Sequence, residues 1–216
     1  MNTIIERFEK IKFKINTLKP VKPVNIIAVS KTFTFDYIKP LIEYGHLHFG
    51  ENKVQEASSK WSAQKTNTKD LKLHMIGKLQ RNKAKDAVKL FDYIHSLDNQ
   101  KLADTLANHQ VNLNKKLKYF IQVNIGNEIQ KSGIPVNELE AFYNYCINEI
   151  NLEVIGLMVI PPNDQNTDKY FKSLNDLNRS LALNNLSMGM SADYISAIKH
   201  GSTFVRVGSS IFGSRS

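Results

Sequence analysis

The sequence predicts an α/β protein that folds as a single (β/α)8 TIM-type barrel with an extra N-terminal helix, one domain over residues 1–216. Two observations predict this class. Eight short apolar segments alternate along the chain with seven segments of helical patterning. Such alternation builds right-handed βαβ units and a parallel sheet, and eight repeats within 216 residues favour a closed barrel over an open sheet.

The strands are predicted where apolar and β-branched residues form a short run between turn residues. These runs are Asn25–Ser30, His46–Phe49, Lys72–Ile76, Tyr93–Ser96, Tyr119–Asn124, Val154–Val159, Leu186–Met190 and Thr203–Val207. In a barrel, the residues that follow the carboxyl ends of the strands meet at one mouth, where such folds place their sites. The residues expected there are Lys31, Gly50-Glu51-Asn52, Gly77, Asn124, Met158, Gly189-Met190-Ser191 and Gly208-Ser209.

The helices are predicted where apolar residues recur three and four positions apart. These segments are Phe35–Tyr44, Glu51–Gln64, Gln80–Leu90, Asn99–Val111, Val136–Ile150, Thr167–Leu183 and Ala192–Lys199. The N-terminal segment Met1–Leu18 has the same spacing, with charged residues between its apolar ones. We therefore expect it to form an amphipathic helix that covers the domain rather than a signal peptide.

Charge and cysteine content limit the classes of function. The formal net charge is +9, but the lysines are spread over almost every segment without interleaved aromatic residues. A nucleic-acid partner is therefore not expected, and an RNA-binding or protein-binding basic surface remains an alternative. The single cysteine, Cys146, allows no intrachain disulfide, which favours the cytoplasm. No apolar run reaches transmembrane length, so no membrane partner is expected.

Lys31 ends the apolar, β-branched run Val24–Ser30. An amine at the mouth of a buried strand is partly desolvated, which lowers its pKa and makes it more nucleophilic toward a carbonyl group. The position therefore indicates formation of a Schiff base with an aldehyde. The alternative is that Lys31 is only the first exposed residue after a strand.

The last two strand-to-helix connections are small, polar and contain glycine. They run from Ser187 to Asp193 and from Phe204 to Gly213. Backbone amides and hydroxyls at the start of a helix bind anions, and barrels frequently hold phosphate after strands seven and eight. These connections therefore predict a phosphate site, although the same residues would also suit tight turns.

Arg206 lies two residues before Gly208, so both are expected to face the barrel mouth. An inward arginine needs a partner, and a strand carboxylate is one candidate. The other candidate is a ring nitrogen of a bound cofactor, which the guanidinium would keep unprotonated. An amine for an aldehyde, a phosphate site and an arginine for a ring nitrogen together describe a pocket for pyridoxal 5′-phosphate (PLP).

Two histidines, His46 and His48, alternate on one predicted strand and could contact a metal ion. No third ligand follows at a suggestive spacing. We therefore expect no metal site and assign both histidines to structure or surface.

Eight sequence motifs resemble the pyridoxal phosphate homeostasis protein family, whose members are similar to the amino-terminal barrel of alanine racemase. The matching motifs are Ala28-Val29-Ser30-Lys31-Thr32, Phe49-Gly50-Glu51-Asn52-Lys53-Val54-Gln55-Glu56, His74-Met75-Ile76-Gly77-Lys78-Leu79-Gln80-Arg81-Asn82-Lys83, Gln122-Val123-Asn124, Lys131-Ser132-Gly133, Gly156-Leu157-Met158, Leu186-Ser187-Met188-Gly189-Met190-Ser191 and Val205-Arg206-Val207-Gly208-Ser209-Ser210-Ile211-Phe212-Gly213. They occur in family order over essentially the full chain. Two residues depart from the family pattern, Lys53 where an aromatic residue is common and Lys78 where proline is common, which leaves the shape of those two loops open.

The resemblance implies roles for six residues. It makes Lys31 the Schiff-base lysine, places Asn52 near the cofactor, assigns the phosphate to Ser191, Gly208 and Ser209, and turns Arg206 toward the pyridine nitrogen. It also implies a protein that binds PLP and buffers or delivers it, which contributes to intracellular vitamin B6 homeostasis. PLP-dependent apoenzymes are possible acceptors, and the chain is expected to be a monomer or a weak homodimer.

A minor PLP-dependent racemase or lyase is the alternative function. Alanine racemase needs a second, carboxyl-terminal domain and a tyrosine base, and we expect neither here because the last matching motif ends at Gly213, close to the end of the sequence. A lysine without a second base, beside an arginine at the ring nitrogen, favours a carrier over an enzyme.

Overall fold

The barrel consists of eight parallel strands surrounded by helices, in a computed structural model that describes residues 2–126, 128, 132–164 and 166–213. The strands are β1 Asn25–Val29, β2 His48–Glu51, β3 Lys72–Met75, β4 Tyr93–Leu97, β5 Lys118–Asn124, β7 Glu153–Met158, β8 Asn185–Met190 and β9 Phe204–Val207, with a two-residue strand, β6 Ile134–Pro135, paired to the edge of β5. The predicted barrel is confirmed.

The ring closes because every barrel strand has two parallel neighbours. Strand β1 lies between β2 and β9, and the pairing of β4 with β5 joins the first half of the chain to the second. Around the ring, the order is β4, β3, β2, β1, β9, β8, β7, β5. All carboxyl ends therefore face the same mouth.

The helices pack outside the barrel. They are α1 Thr3–Thr17, α2 Phe35–Glu43, α3 Val54–Asn67, α4 Ala84–Leu90, α5 Gln100–Leu113, α6 Leu139–Asn144, α7 Thr167–Ser180, α8 Tyr194–Lys199 and α9 Ser209–Phe212. The expected amphipathic N-terminal helix is α1, which buries Ile4, Phe8, Ile11 and Ile15 and is capped by the Asn2 side chain. In the part of the chain that the structure describes, no helix combines the length and apolarity needed to cross a bilayer.

The clearest differences between the prediction and the structure concern the second strand, the helix that follows it and the helix predicted at Val136–Ile150. Strand β2 begins at His48 rather than His46 and continues through Glu51, so α3 begins only at Val54. Glu51 stays on the strand because its buried carboxylate accepts hydrogen bonds from neighbouring elements. The predicted helix Val136–Ile150 divides into a 3-10 turn, the short helix α6 and a π-helical turn at Tyr145–Glu149.

The barrel interior is distinct from the larger core between strands and helices. It contains a small apolar cluster of Ile27, Phe120, Met158 and Phe204. Met158, expected at the mouth, is fully buried in this cluster. Polar side chains fill much of the remaining interior.

Candidate functional site

All six residues predicted for the site line one cavity at the mouth of the barrel. The cavity has a volume of about 670 Å³, and its wall includes Lys31, Asn52, Ser191, Arg206, Gly208 and Ser209. They lie on or shortly after four strands, β1, β2, β8 and β9, so barrel closure brings together residues from both ends of the sequence. Their roles toward a cofactor remain predictions.

The backbone before Lys31 is held by a buried polar hub that we name the Glu51 hub, made of Ser30, Glu51, Lys60 and Trp61. The Glu51 carboxylate Oε1 accepts from Ser30 Oγ at 2.8 Å, from Lys60 Nζ at 2.9 Å and from Trp61 Nε1 at 2.9 Å. Lys60 Nζ also donates to the Ser30 carbonyl at 2.7 Å. Strands β1 and β2 are thereby tied to α3 directly behind Lys31.

The residue after Lys31 has an unusual backbone conformation. Thr32 has φ +70°, which is uncommon for a β-branched residue. Its N–H donates to the Glu56 carboxylate, and Glu56 also pairs with Lys60 of the Glu51 hub. The surrounding contacts therefore hold the turn that carries Lys31 in a conformation that its sequence would not favour alone.

Asn52 enters the cavity wall because the next loop approaches it closely. A Cβ atom at Gly77 would lie 2.5 Å from the Asn52 carbonyl oxygen, so only glycine allows the two loops to touch. The Asn52 Oδ1 atom is buried and has no hydrogen-bond partner among the described residues. An unsatisfied buried acceptor at a cavity wall is suited to a ligand donor.

The end of the cavity formed by the last two connections carries hydroxyls and amides. Ser191 Oγ accepts from the backbone N–H of Gly208 at 3.2 Å and of Ser210 at 3.4 Å. Gly189 has φ +92°, which turns the chain into this connection. Hydroxyls and converging amides can bind an anion, which agrees with the location predicted from the sequence.

Arg206 is buried in the floor of the cavity. Its Nη1 donates to the Ser187 carbonyl at 2.8 Å and to Ser187 Oγ at 2.7 Å, and its Nη2 donates to the Val159 carbonyl at 2.8 Å. The hydrogen bonds thus go to carbonyls and a hydroxyl rather than to the strand carboxylate considered from the sequence. Burial lowers the pKa of Arg206 to about 10, so the guanidinium stays charged at neutral pH.

Three histidines continue from Arg206 through the barrel interior, and we call them the histidine row. His95 Nδ1 lies 2.8 Å from Ser187 Oγ, His95 Nε2 lies 2.9 Å from His74 Nδ1, and His74 Nε2 lies 3.0 Å from His48 Nδ1. The row is not among the features predicted from the sequence, where His48 is grouped only with His46. Burial is the main cause that lowers the pKa of all three, well below the usual imidazole value for His74 and His95.

The pairing register of β2, β3 and β4 explains why the three histidines meet. Gly50 pairs with His74, which places His48 two residues earlier, and His74 pairs with Tyr93, which places His95 two residues later. Inward residues of a tilted barrel meet along such diagonals. Counting polar residues along the diagonal reveals the row once the strand register is known.

The remaining predictions concern metal ligands and loops. Among the described residues, no group of three or more His, Cys, Asp or Glu side chains is placed to bind a metal. Lys53 is exposed just before α3, and Lys78 is exposed beside a neighbouring cavity of about 320 Å³ that also includes Asn124. Neither lysine lines the mouth cavity. Lys131 lies outside the described residues.

Comparison with known proteins identifies the family. The model of the alanine racemase N-terminal domain matches residues 8–216. The pyridoxal phosphate homeostasis protein of Aquifex aeolicus is 38% identical over 88% of this chain and 86% of its own length. The pyridoxal phosphate homeostasis protein of Escherichia coli is 32% identical and covers 100% of this chain and 98% of its own. The chain belongs to the pyridoxal phosphate homeostasis protein family.

Solved structures agree with membership of the family. PipY of Synechococcus elongatus with PLP bound has a TM-score of 0.86 and 34% identity, covering 97% of this chain and 100% of its own. Alanine racemase from Corynebacterium glutamicum has a TM-score of 0.71 at 16% identity and extends well beyond the barrel, since 60% of it is covered. That second likeness shows the fold alone. The resemblance predicted from the sequence motifs is confirmed.

The Glu51 hub generates a prediction about stability. Lys60→Met should destabilise the fold by about 3–5 kcal/mol, because it leaves the fully buried Glu51 carboxylate without its cation. Urea unfolding measures the loss. The matched control is Lys39→Met, which breaks an exposed pair with Glu43 and should cost less than about 0.5 kcal/mol. Equal costs for the two variants would contradict a stabilising hub.

The histidine row generates a prediction about pH. His74 and His95 have folded-state pKa values below the unfolded value, so the unfolded chain takes up protons that the folded chain does not. Stability should be complete above about pH 6.5 and fall as the pH drops below it, approaching about 1.4 kcal/mol per pH unit for each imidazole. Urea unfolding between pH 7.5 and 5.0 measures the slope.

Two variants separate the contribution of the row from general acid effects. His95→Gln removes one titrating group and should make the slope shallower. His109→Gln, on α5, should keep the wild-type slope. A wild-type slope in His95→Gln would show that the row does not set the pH dependence.

Proposed function

We propose that this protein binds PLP in the mouth cavity, holds it covalently at Lys31 and contributes to intracellular PLP homeostasis by buffering or delivering it. The observation that carries the proposal is the convergence of Lys31, Arg206 and the amides and hydroxyls of the last two connections on one cavity. Relatives named pyridoxal phosphate homeostasis proteins, and the PLP-bound structure of PipY, support it.

The chemistry of the cavity fits PLP. The phosphate carries negative charge, and the Ser191 and Ser209 hydroxyls supply donors at one end of the cavity. The Gly208 and Ser210 amides donate to Ser191 Oγ, which leaves the Ser191 hydroxyl proton to face a bound anion. The Asn52 Oδ1 atom is an acceptor that has no hydrogen-bond partner in the described part of the chain. Lys31 supplies the amine. The donor set therefore suits the phosphate and aldehyde of PLP.

When bound, PLP supplies an aldehyde carbon that combines with an amine and a ring that can withdraw electrons from it. Lys31 is the residue proposed to form the covalent bond, and the Glu51 hub fixes the backbone that carries it. Arg206, held by Ser187 and Val159, is proposed to face the ring nitrogen and keep it unprotonated. An unprotonated ring is a weaker electron sink, which favours storage over turnover.

We also propose that the protein acts as a carrier or regulator rather than as an enzyme. Two-base racemisation needs a second group that moves a proton on the face opposite the lysine. The described residues lining the cavity offer Lys31, whereas the carboxylates and histidines named above lie behind or beneath it. A minor racemase or lyase activity is the second candidate, because Lys31 could also exchange with amino-acid amines.

The proposal extends to the compartment, the oligomeric state and the partners of the protein. We infer that it works in the cytoplasm as a monomer or weak homodimer and passes PLP to PLP-dependent apoenzymes. Its lysines are dispersed along the chain, which supports partners other than nucleic acid or membrane.

Trapping of the covalent bond tests the cofactor site. After incubation with PLP and reduction with borohydride, peptide mass mapping should find one phosphopyridoxyl group, on Lys31, because that residue lines the cavity. Lys31→Ala should lose this label, and the exposed control Lys53→Ala should keep it. Scattered labelling of surface lysines with none on Lys31 would contradict the proposal.

Turnover tests the carrier role. Purified wild-type protein loaded with PLP should racemise L-alanine no faster than Lys31→Ala under the same conditions, as followed by chiral chromatography. Racemisation or elimination that depends on Lys31 would favour the enzyme alternative instead.

A further inference from the structure

The hydrogen bonds of the histidine row have a direction that the structure determines. Arginine can only donate, so Ser187 Oγ accepts from Arg206 Nη1. A serine hydroxyl has one proton, and the second described contact of Ser187 Oγ is His95 Nδ1. The Ser187 hydroxyl therefore donates a hydrogen bond to His95 Nδ1. That nitrogen is the acceptor, so the neutral imidazole of His95 carries its own proton on Nε2.

The tautomer of each imidazole determines the tautomer of the next one in the row. His95 Nε2–H donates to His74 Nδ1, so His74 carries its proton on Nε2 and donates to His48 Nδ1. The opposite direction would have the imidazole of His95 donate to Ser187 Oγ, which would then receive two protons and leave its own without an acceptor among the described contacts. Ser187, His74 and His95 are completely buried, which makes an unpaired proton costly.

We propose that Arg206 sets one tautomer, with Nδ1 accepting and Nε2 protonated, on all three imidazoles of the histidine row, and that Ser187 and His95 are positioning residues for Arg206. The first half of this proposal concerns the protein without cofactor. The second half rests on the proposed function, because Arg206 must face bound PLP for its position to matter.

The geometry explains why Ser187 and His95 would position Arg206. Two of the three acceptors around the guanidinium belong to Ser187, and the third is the Val159 carbonyl. The imidazole of His95 orients the Ser187 hydroxyl by accepting a hydrogen bond from it, so that a lone pair of Ser187 Oγ faces Arg206 Nη1. His95 is itself fixed by stacking on Phe120, with ring centroids 4.4 Å apart, and by its bond to His74.

The row also connects the two ends of the barrel. Arg206 lines the mouth cavity, whereas His48 begins β2 and lines a separate cavity of about 260 Å³ beneath the barrel, beside α1. His48 is half-buried, so water can replace its imidazole as the acceptor of the hydrogen bond from His74 Nε2. The proposal therefore predicts an asymmetry, since a break beside Arg206 should disturb every tautomer and a break at His48 should not.

Nitrogen NMR of the full chain without cofactor, labelled with ¹⁵N-histidine, tests the direction. In the wild type, each Nδ1 of the row should show the shift of an unprotonated acceptor and each Nε2 that of a protonated nitrogen. Ser187→Ala should lose this pattern at His95 and His74, whereas His48→Ala should keep it at both. Protonated Nδ1 in the wild type, or loss of the pattern only in His48→Ala, would overturn the directed row.

PLP titration, followed by visible absorption, tests the positioning role. Ser187→Ala should weaken PLP binding about tenfold, the effect of losing one hydrogen bond to a charged group, and should change the pH profile of the bound absorption. Ser187→Thr, which keeps the hydroxyl, should restore both. Wild-type affinity and pH profile in Ser187→Ala would overturn the positioning role.

The two experiments separate this inference from the proposed function. A wild type that forms no PLP adduct on Lys31 would overturn the proposed function and the positioning role together. The NMR spectra would still decide the directed row, because they require no PLP. Circular dichroism of each variant shows whether it is folded.

Discussion

Closure of the barrel is the constraint on which the site depends. Lys31 and Asn52 follow adjacent strands near the beginning of the chain, whereas Arg206 and Gly208 lie near its end. They share a cavity because β1 pairs with both β2 and β9, which joins the two ends of the sequence in one sheet. Parallel pairing then places every strand's carboxyl end at the same mouth. An open sheet with the same strands would separate these residues.

The barrel interior combines a buried charge with neutral polar groups. Within the described ranges, the hydrogen-bond partners of Arg206 are carbonyls and a hydroxyl rather than a strand carboxylate. A carboxylate would neutralise the guanidinium, whereas dipoles stabilise it and leave its positive charge effective toward the cavity. The histidine row extends these dipoles while remaining neutral, since burial disfavours imidazolium. The interior is thus organised around one cation.

The sequence predicted the barrel and the location of the six site residues well, because both depend on periodicity and on glycine-bearing turns. It did not predict the extension of β2 to Glu51, which depends on acceptance of hydrogen bonds from Ser30 and Trp61, far apart in sequence. It also missed His74 and His95, whose partners lie on other strands. Such contacts depend on strand register, which local patterns do not contain. The resemblance to a family supplied the residue roles that geometry alone leaves as predictions.

The Glu51 hub couples local unfolding of α3 to the mouth of the barrel. Ser30, beside Lys31, and Lys60 and Trp61 of α3 share one carboxylate oxygen. Local unfolding of α3 would therefore release the backbone beside Lys31 in the same event, so that the helix and the mouth of the barrel form one cooperative unit. Amide hydrogen exchange in α3 would then report on the turn that carries Lys31, although no residue of the helix lines the cavity. Evolutionary change on the inner face of this helix, which carries Lys60 and Trp61, would be constrained by chemistry on the far side of β1.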